Sequence, residues 1–184
     1  MQWTKLRGEF DLHYANIKTN DIANGPGIRL SLFVSGCTNH CKDCFNKETW
    51  DFNFGTEYTA ETEQFILSEL SKERYDGITI LGGEPFEKEN QPTVLNLIQK
   101  IRETLPTRTI WIYTGFTYEK DLRPSGKRYI PGTTDQILSA IDVLVDGRFE
   151  KDLYSIMLVF RGSSNQRIID MKKSNYDNII IKEI

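Results

Sequence analysis

The stretch IRLSLFVS, from Ile28 to Ser35, runs directly into the stretch GCTNHCKDC, from Gly36 to Cys44. The first stretch is rich in branched and aromatic residues and ends at a glycine, which predicts a β-strand over residues 28–35. The second stretch is polar and holds Cys37, Cys41 and Cys44 within eight residues. The sequence therefore predicts a strand that leads into a cysteine loop at its carboxyl end.

These three cysteines are the only ones in the chain of 184 residues. An odd and tightly spaced set does not suit a disulfide framework, so we interpret it as a ligand or redox cluster. Three thiolates at C-x3-C-x2-C spacing can converge on one inorganic centre. A four-iron cluster is usually held by four cysteines, so three would leave one iron free to bind a small ligand.

Other interpretations of the cysteine loop remain open from the residues alone. A structural zinc site would use the three cysteines with His40, although His40 adjoins Cys41, which strains a tetrahedron. A catalytic cysteine–histidine pair would need His13 or His40, the chain's two histidines, and neither has an evident partner. Three buried cysteines without a ligand are a further alternative.

The rest of the chain alternates strand and helix patterns. Strands are predicted at Ile78–Leu81, Thr109–Tyr113 and Val143–Val145, each followed by a glycine within two residues. Helices are predicted at Thr59–Tyr75, Gln91–Leu105 and Thr134–Ile141, the first of them with Thr59 as its N-cap. This alternation predicts an α/β fold with a parallel sheet and right-handed crossovers.

Several regions lack a clear pattern. The region before Gly25 and the last forty residues are ambiguous, and Ile168-Ile169 and Ile179–Ile181 are candidates for short strands or a docked tail. The polar segment Tyr118–Thr134 is predicted to be mostly loop. No linker divides the chain, so we expect a single domain over residues 1–184 with N- and C-terminal extensions.

Composition disfavours several classes of function. The net charge is −3, from 23 basic and 26 acidic residues, which argues against nucleic-acid binding through a basic surface. The longest apolar stretches, such as Ile141–Val145, are too short to span a bilayer. The segment Met1–Phe10 lacks the apolar centre of a signal peptide. We therefore expect a cytoplasmic protein with no nucleic-acid and no membrane partner.

Three of the predicted parallel strands end in segments that suit a binding site. They end in Gly82-Gly83-Glu84-Pro85, Tyr113-Thr114-Gly115 and Asp146-Gly147-Arg148. The carboxyl ends of parallel strands meet at one edge of a sheet, where the active sites of α/β barrels lie. Ordinary turn chemistry explains the glycines equally well.

The cysteine spacing at the end of a first strand resembles the signature of the radical S-adenosylmethionine superfamily. The segment Gly82-Gly83-Glu84 resembles that superfamily's glycine-glycine-glutamate motif, which contacts the methionine ammonium group. The resemblance implies an incomplete parallel (β/α) barrel and a [4Fe-4S] cluster on Cys37, Cys41 and Cys44. It also implies that S-adenosylmethionine binds the open iron and is cleaved reductively to methionine and a 5′-deoxyadenosyl radical. The implied cofactor contacts are Asp43, Cys44, Phe45, Gly82, Gly83, Glu84, Tyr113 and Thr114.

Segments spread along the chain narrow the resemblance to one branch of the superfamily. They are Asn24–Arg29, the cysteine loop through Trp50, Trp111–Phe116, Asp146–Phe149 and Arg161–Ile168. Together they resemble the activating proteins of anaerobic (class III) ribonucleoside-triphosphate reductases. That family implies an oxidoreductase that takes a hydrogen from one glycine Cα of the reductase large subunit and leaves a glycyl radical. It also implies a one-electron donor such as flavodoxin.

Two alternative functions and two segments stay open at this point. The activating enzyme of pyruvate formate-lyase also makes a glycyl radical, although its relatives are usually longer. A non-catalytic zinc-binding module is the alternative from another class. The segment Arg161–Arg167 would suit the cofactor's polar ends or the partner's glycine loop equally well. The insert Leu122–Thr133 matches no segment of the family.

Overall fold

The computed structural model describes residues 11–184, so Met1–Phe10, predicted to lack a signal-peptide centre, lies outside the described residues. Within residues 11–184 the chain forms one seven-stranded sheet with helices packed on it, which confirms the predicted α/β class. No helix in this described part combines the length and the apolar character needed to cross a membrane.

The sheet mixes parallel and antiparallel pairing. Its strands are β1 (His13–Asp21), β2 (Arg29–Val34), β3 (Thr56–Glu57), β4 (Gly77–Gly82), β5 (Thr109–Tyr113), β6 (Val143–Asp146) and β7 (Arg167–Asp170). Their order across the sheet is β3-β1-β2-β4-β5-β6-β7. The four central strands β2, β4, β5 and β6 are parallel, whereas β1, β3 and β7 pair antiparallel towards the edges.

The predicted central strands are confirmed, and the two ambiguous regions supply strands of opposite direction. The region before Gly25 forms β1, which the short turn 22–28 joins to β2. So short a connection permits an antiparallel pair and not a parallel one. Near the C-terminus, Ile168 and Ile169 lie in β7, and Ile181 forms an isolated bridge with Ile169. The prediction of a parallel sheet therefore holds for the four central strands only.

The helices are α1 (Ala60–Leu70), α2 (Gln91–Thr104), α3 (Tyr118–Asp121) and α4 (Thr133–Ala140), and short 3-10 helices lie at Lys47–Trp50 and Lys151–Leu153. Thr59 caps α1 as predicted, because its hydroxyl accepts the Thr62 N–H. The prediction that this helix reaches Tyr75 is wrong. Arg108 donates to the carbonyls of Leu70 and Tyr75, which satisfies the helix end at Leu70. The polar segment predicted as loop contains the single turn of α3.

The two faces of the sheet differ in character. One face buries aliphatic side chains against the helices, including Leu30, Leu32, Ile78, Ile80 and Ile112. Burial of each such side chain contributes roughly 1.5–3 kcal/mol. The other face buries Trp111, Val145 and Ile168 together with the polar side chains of Arg29 and Thr79. The carboxyl ends of the parallel strands lie beside the candidate site.

Candidate iron–sulfur and cofactor site

The carboxyl ends of β4, β5 and β6 border one cavity of about 210 Å³, which the cysteine loop also lines. Among the residues predicted to contact a cofactor, those lining this cavity are Cys44, Phe45, Gly82, Gly83, Glu84, Tyr113 and Thr114. Asp43, Cys37 and Cys41 are not among the lining residues. Residues from three separate stretches of sequence are thus brought to a single cavity.

Two glycines allow the end of β4 to lie against the cysteine loop. Gly82 has a φ of +109°, and a Cβ there would lie 2.7 Å from the backbone of Phe33. A Cβ on Gly83 would lie 2.7 Å from the carbonyl oxygen of Gly36. A larger residue would therefore push the end of β4 away from β2 at Gly82 and away from the start of the cysteine loop at Gly83. The two glycines thus allow β4 to end in close contact with both.

Glu84 is fully buried, and its carboxylate ties three segments together. The donors to it are Phe86 N–H at 2.9 Å, Thr114 Oγ1 at 2.8 Å, Gly115 N–H at 2.7 Å and Asn39 Nδ2 at 3.1 Å. Burial raises the pKa of Glu84 to about 7, although the bonds from Phe86, Thr114 and Gly115 act in the opposite direction. The carboxylate therefore joins the end of β4 to the end of β5 and to the cysteine loop.

Backbone hydrogen bonds fix the start of the cysteine loop. Gly36 N–H donates to the Thr49 carbonyl at 2.8 Å, and Cys37 N–H donates to the Trp50 carbonyl at 3.3 Å. On the other side, Glu84 N–H donates to the Gly36 carbonyl at 2.9 Å. This part of the loop is consequently held between the 3-10 helix at 47–50 and the end of β4.

The three cysteines are free thiols, with Cys37 buried and Cys41 and Cys44 half-buried. The loop turns back on itself, since His40 and Asp43 have φ values of +45° and +57°, and Cys44 N–H donates to the Cys41 carbonyl. Burial, followed by the nearby Glu84 carboxylate, raises the pKa of the Cys37 thiol to about 12. A metal ion that binds such a thiol must displace its proton.

The donor set fits an iron–sulfur cluster in its chemistry, because thiolates are the usual protein ligands of such clusters. Within residues 11–184, no three side chains of His, Cys, Asp or Glu are already assembled as a metal site. The loop therefore carries three thiol ligands close together in sequence, but their side chains do not converge on one point in this structure. His40, the fourth ligand of the zinc alternative, stacks on Trp50 with ring centroids 4.5 Å apart.

The segment Arg161–Arg167, whose role the sequence analysis leaves open, forms part of the cavity wall. Gln166 Oε1 accepts the N–H groups of Gly162 at 2.8 Å and Ser163 at 3.1 Å. Gln166 Nε2 donates to the Gly147 carbonyl at 3.0 Å. Gly162, Gln166 and Gly147 all border the cavity. The polar groups of this segment thus bind the end of β6 and shape the wall.

Arg167 fastens the same wall to the sheet. Its guanidinium pairs with Asp146, with Nε at 2.9 Å from Oδ1, and with Glu119 at 2.7 Å. The Asp146 hydrogen bond, together with the Glu119 bond, raises the pKa of Arg167 despite its burial. The buried Asp146 also accepts the Tyr118 N–H at 2.8 Å. These contacts join β6, β7 and α3.

The mouth of the cavity has an apolar rim, formed by Phe45 and Phe149, which line the cavity, and by Tyr154, which packs on both rings. The Phe45 ring is 68% exposed and lies 6.0 Å from the Tyr154 ring, centroid to centroid. The Tyr113 hydroxyl donates to the Phe160 carbonyl at 2.9 Å and so anchors the segment that carries the rim.

Two contacts to the cysteine loop were not predicted from sequence. The Asn39 side chain binds Glu84, and the Asn39 carbonyl accepts a hydrogen bond from the Arg148 guanidinium. Arg148 stands at the end of β6, far from the loop along the chain. The only signal for it was its place in a strand-end segment. These contacts hold the loop over the cavity from both sides.

Residues 23–169, which include the cysteine loop and the strand ends at the cavity, match a family model described as a 4Fe-4S single cluster domain. The class is therefore that of iron–sulfur proteins with a single four-iron cluster. This match favours the iron–sulfur interpretation over the zinc alternative.

Three relatives share the printed name anaerobic ribonucleoside-triphosphate reductase-activating protein. The Escherichia coli K12 relative is 39% identical over 157 residues, which cover 84% of this chain and 96% of the relative. The Salmonella typhi relative is 40% identical over 148 residues, covering 79% and 90%. The relative from phage T4 is 35% identical over 157 residues, covering 85% and 93%. This chain belongs to the family of anaerobic ribonucleoside-triphosphate reductase-activating proteins.

Proposed function

We propose that this protein activates an anaerobic ribonucleoside-triphosphate reductase by generating a glycyl radical on its large subunit. The reaction is the reductive cleavage of S-adenosylmethionine at a [4Fe-4S] cluster, so the protein is a radical S-adenosylmethionine oxidoreductase. The observation that carries the proposal is the cavity where the cysteine loop meets the glycine-glycine-glutamate end of β4. The relatives' name favours the reductase as partner over pyruvate formate-lyase.

Cys37, Cys41 and Cys44 hold three irons in this proposal. When bound, the cluster supplies an electron and an open iron for cleavage of S-adenosylmethionine. Cys44 borders the cavity, whereas Cys37 is buried and does not line it. The loop therefore presents Cys44 to the cavity in which we place S-adenosylmethionine.

The cavity walls provide the contacts that S-adenosylmethionine needs. Gly82 and Gly83 border the cavity with backbone groups alone, and these backbone groups contact the methionine ammonium group in this proposal. The Thr114 hydroxyl donates a hydrogen bond to the Glu84 carboxylate, so the two residues fix the shape of the proposed cofactor-binding cavity. The exposed ring of Phe45 offers an apolar face to the adenine, next to the backbone of Asp43 and Cys44. Tyr113 completes the wall at the end of β5.

The four parallel strands support an incomplete (β/α) barrel within one domain. A closed barrel has eight such strands, and here antiparallel strands flank the four parallel ones. The site therefore opens at a mouth that a glycine-bearing segment of the reductase enters. The exposed Phe45 and Tyr154 of the rim support this, because apolar side chains at a cavity mouth suit cover by a protein partner. A one-electron donor such as flavodoxin serves the protein in the cytoplasm.

Anaerobic purification and cluster reconstitution test the proposal. We expect iron and sulfide in equal amounts, a brown protein, and release of 5′-deoxyadenosine when a reductant and S-adenosylmethionine are added. The Cys41→Ala variant should lose both the colour and the product. A colourless protein that contains zinc and no iron would contradict the proposal.

A further inference from the structure

Two buried carboxylates hold the two residues that follow Cys37. Glu84 binds the side chain of Asn39. Glu87 binds Thr38, whose backbone N–H and hydroxyl both donate to Glu87 Oε1, at 2.8 Å and 2.6 Å. Thr38 lies at the surface, but Glu87 is fully buried. The turn after β4 thus makes a second contact with the cysteine loop, one that Glu84 does not provide.

Arg128 supplies the charge partner of Glu87. One guanidinium nitrogen lies 2.7 Å from Glu87 Oε2, and another donates to the Thr38 hydroxyl. The guanidinium also lies over the buried Phe116 ring, 4.5 Å from its centroid. A buried carboxylate without a cation is costly, so the Arg128 guanidinium stabilises the Glu87 carboxylate in the position where it contacts Thr38.

The insert 122–133, which matches no segment of the family in the sequence analysis, carries Arg128, and residues outside the insert hold the Arg128 backbone in position. The Arg128 N–H donates to the Asp121 carbonyl at 3.0 Å. The Arg128 carbonyl accepts from Gln91 Nε2 at 2.8 Å, and Gln91 is buried and receives the Thr134 hydroxyl at 2.6 Å. The backbone of Arg128 is therefore tied to both α2 and α4.

We propose that Glu87 and Arg128 are positioning residues that fix the Cys37 end of the cysteine loop, and that this is the role of the insert. The inference rests on the proposed function, since it takes Cys37 as a cluster ligand. Neither residue touches the iron or the cofactor. They act through Thr38, whose N–H and hydroxyl they hold next to the buried thiol.

Removal of Arg128 should weaken the hold on the cluster without removing a ligand. Glu87 is then buried without its cation, which destabilises the carboxylate in the position where it contacts Thr38. Contacts that orient a metal ligand are worth about 10–100-fold in metal affinity. We therefore expect a cluster that forms but is held less firmly.

The test compares Arg128→Gln with the double variant Glu87→Gln, Arg128→Gln in the reconstituted full chain. An iron chelator should strip the cluster from Arg128→Gln about 10-fold faster than from the unchanged protein. The electron paramagnetic resonance spectrum of its reduced cluster should also change. The double variant should recover most of both properties, because the neutral amide that replaces the Glu87 carboxylate accepts from Thr38 without an unpaired charge.

Arg123→Gln is the matched control, because Arg123 lies in the same insert and faces the Tyr176 ring instead of the cysteine loop. It should match the unchanged protein. An Arg128→Gln variant with the stripping rate and spectrum of this control would overturn the proposal. If Arg128→Gln does not fold, Thr38→Val decides, since it removes only the hydroxyl of a surface residue. A Thr38→Val rate equal to that of the unchanged protein would also overturn it.

These outcomes are separate from failure of the proposed function. If the unchanged protein takes up no iron–sulfur cluster, the proposed function fails. If it takes up the cluster and the Arg128 variant behaves identically, only the positioning role fails. The readouts need neither reductase nor S-adenosylmethionine.

Discussion

Both ends of the central parallel strands bury charged side chains, and the surroundings of Arg29 at one end differ from those of Glu84 at the other. At the amino end, Arg29 donates to the Thr79 hydroxyl at 2.7 Å, the Ile78 carbonyl at 2.6 Å and the Thr109 hydroxyl at 2.9 Å. Its guanidinium also lies 5.4 Å from the centroid of the Trp111 ring. Burial lowers the pKa of Arg29 to about 10, so the group stays charged at neutral pH.

At the carboxyl end, Glu84 receives hydrogen bonds from the ends of two strands and from the cysteine loop. It borders the cavity, and two glycines precede it. The partners of Arg29 at 3.2 Å or less are residues of the strands themselves, whereas those of Glu84 lie in loops. The comparison teaches that burial of a charge does not by itself mark a functional site. We expect Arg29 to stabilise the fold and Glu84 to shape the proposed cofactor-binding cavity.

The largest expected effect on stability is at the amino end. Arg29→Met leaves the buried Thr79 hydroxyl, the Thr109 hydroxyl and two carbonyls without their donor, and should lower the free energy of unfolding by about 3 kcal/mol. Urea unfolding of the apoprotein measures it. Arg74→Met is the control, because Arg74 is an exposed arginine and its loss should leave stability nearly unchanged. Equal stability of the two variants would remove the distinction between the strand ends.

Asp21 extends the amino-end network and adds a dependence on pH. Its buried carboxylate accepts from Ser31 Oγ at 2.6 Å and from Asn24 Nδ2. Burial alone would raise the pKa of Asp21, but the hydrogen bonds from Ser31, Asn24 and Lys18 outweigh burial and lower it to about 2. The native state therefore favours the ionised carboxylate more strongly than the unfolded state does.

The stability that Asp21 contributes is present above its ordinary pKa of 3.8 and is lost as the pH falls towards 2. The loss should reach about 2 kcal/mol. Urea unfolding between pH 5 and pH 2 of the unchanged protein and of Asp21→Asn measures it as the difference in slope. Parallel curves for the two proteins would show that Asp21 is not held in this way.

A smaller effect is expected at the carboxyl end, and on activity. Glu84→Gln keeps the side-chain shape but turns an amide NH₂ towards groups that are themselves donors. We expect a folded protein whose release of 5′-deoxyadenosine is about 10-fold slower, because the ends of β4 and β5 are no longer joined at the proposed cofactor-binding cavity. Glu89→Gln, an exposed residue of the same turn, should leave the rate unchanged. A Glu84→Gln rate equal to that control would place Glu84 with Arg29 as a residue of the fold.

The smallest expected effect concerns the apolar rim. Tyr154→Glu places a charge among the apolar side chains of the rim, and should raise the reductase concentration for half-maximal activation about fivefold. Ile22→Glu is the matched control, because Ile22 is 72% exposed and follows β1 at the opposite end of the strands. Equal shifts for the two variants would show that the rim is not the face that meets the reductase.

The sequence predicted the centre of the fold better than its edges, for a physical reason. The parallel strands β4, β5 and β6 are short buried apolar runs that end at glycines, a pattern that can be recognised locally. β1 alternates half-buried and exposed residues and has many polar side chains. Its pairing with β2 depends on contacts that the local pattern does not specify.

The candidate site follows the same division. The cysteines and Gly82-Gly83-Glu84 were predicted from spacing and from their place at strand ends. The pairing of Glu87 with Arg128 joins residues 41 positions apart and leaves no sequence signal. Such partners appear only when the fold brings the turn after β4 next to the insert.

The most direct test of the central claim is electron paramagnetic resonance of the reductase after activation. The reconstituted protein is incubated anaerobically with the large subunit of an anaerobic ribonucleoside-triphosphate reductase, S-adenosylmethionine and a one-electron reductant. We predict a glycyl radical signal on the reductase, matched by release of 5′-deoxyadenosine, and neither with Cys44→Ala. A reductase without the radical, beside a protein that carries its cluster and cleaves S-adenosylmethionine, would contradict the proposed activation.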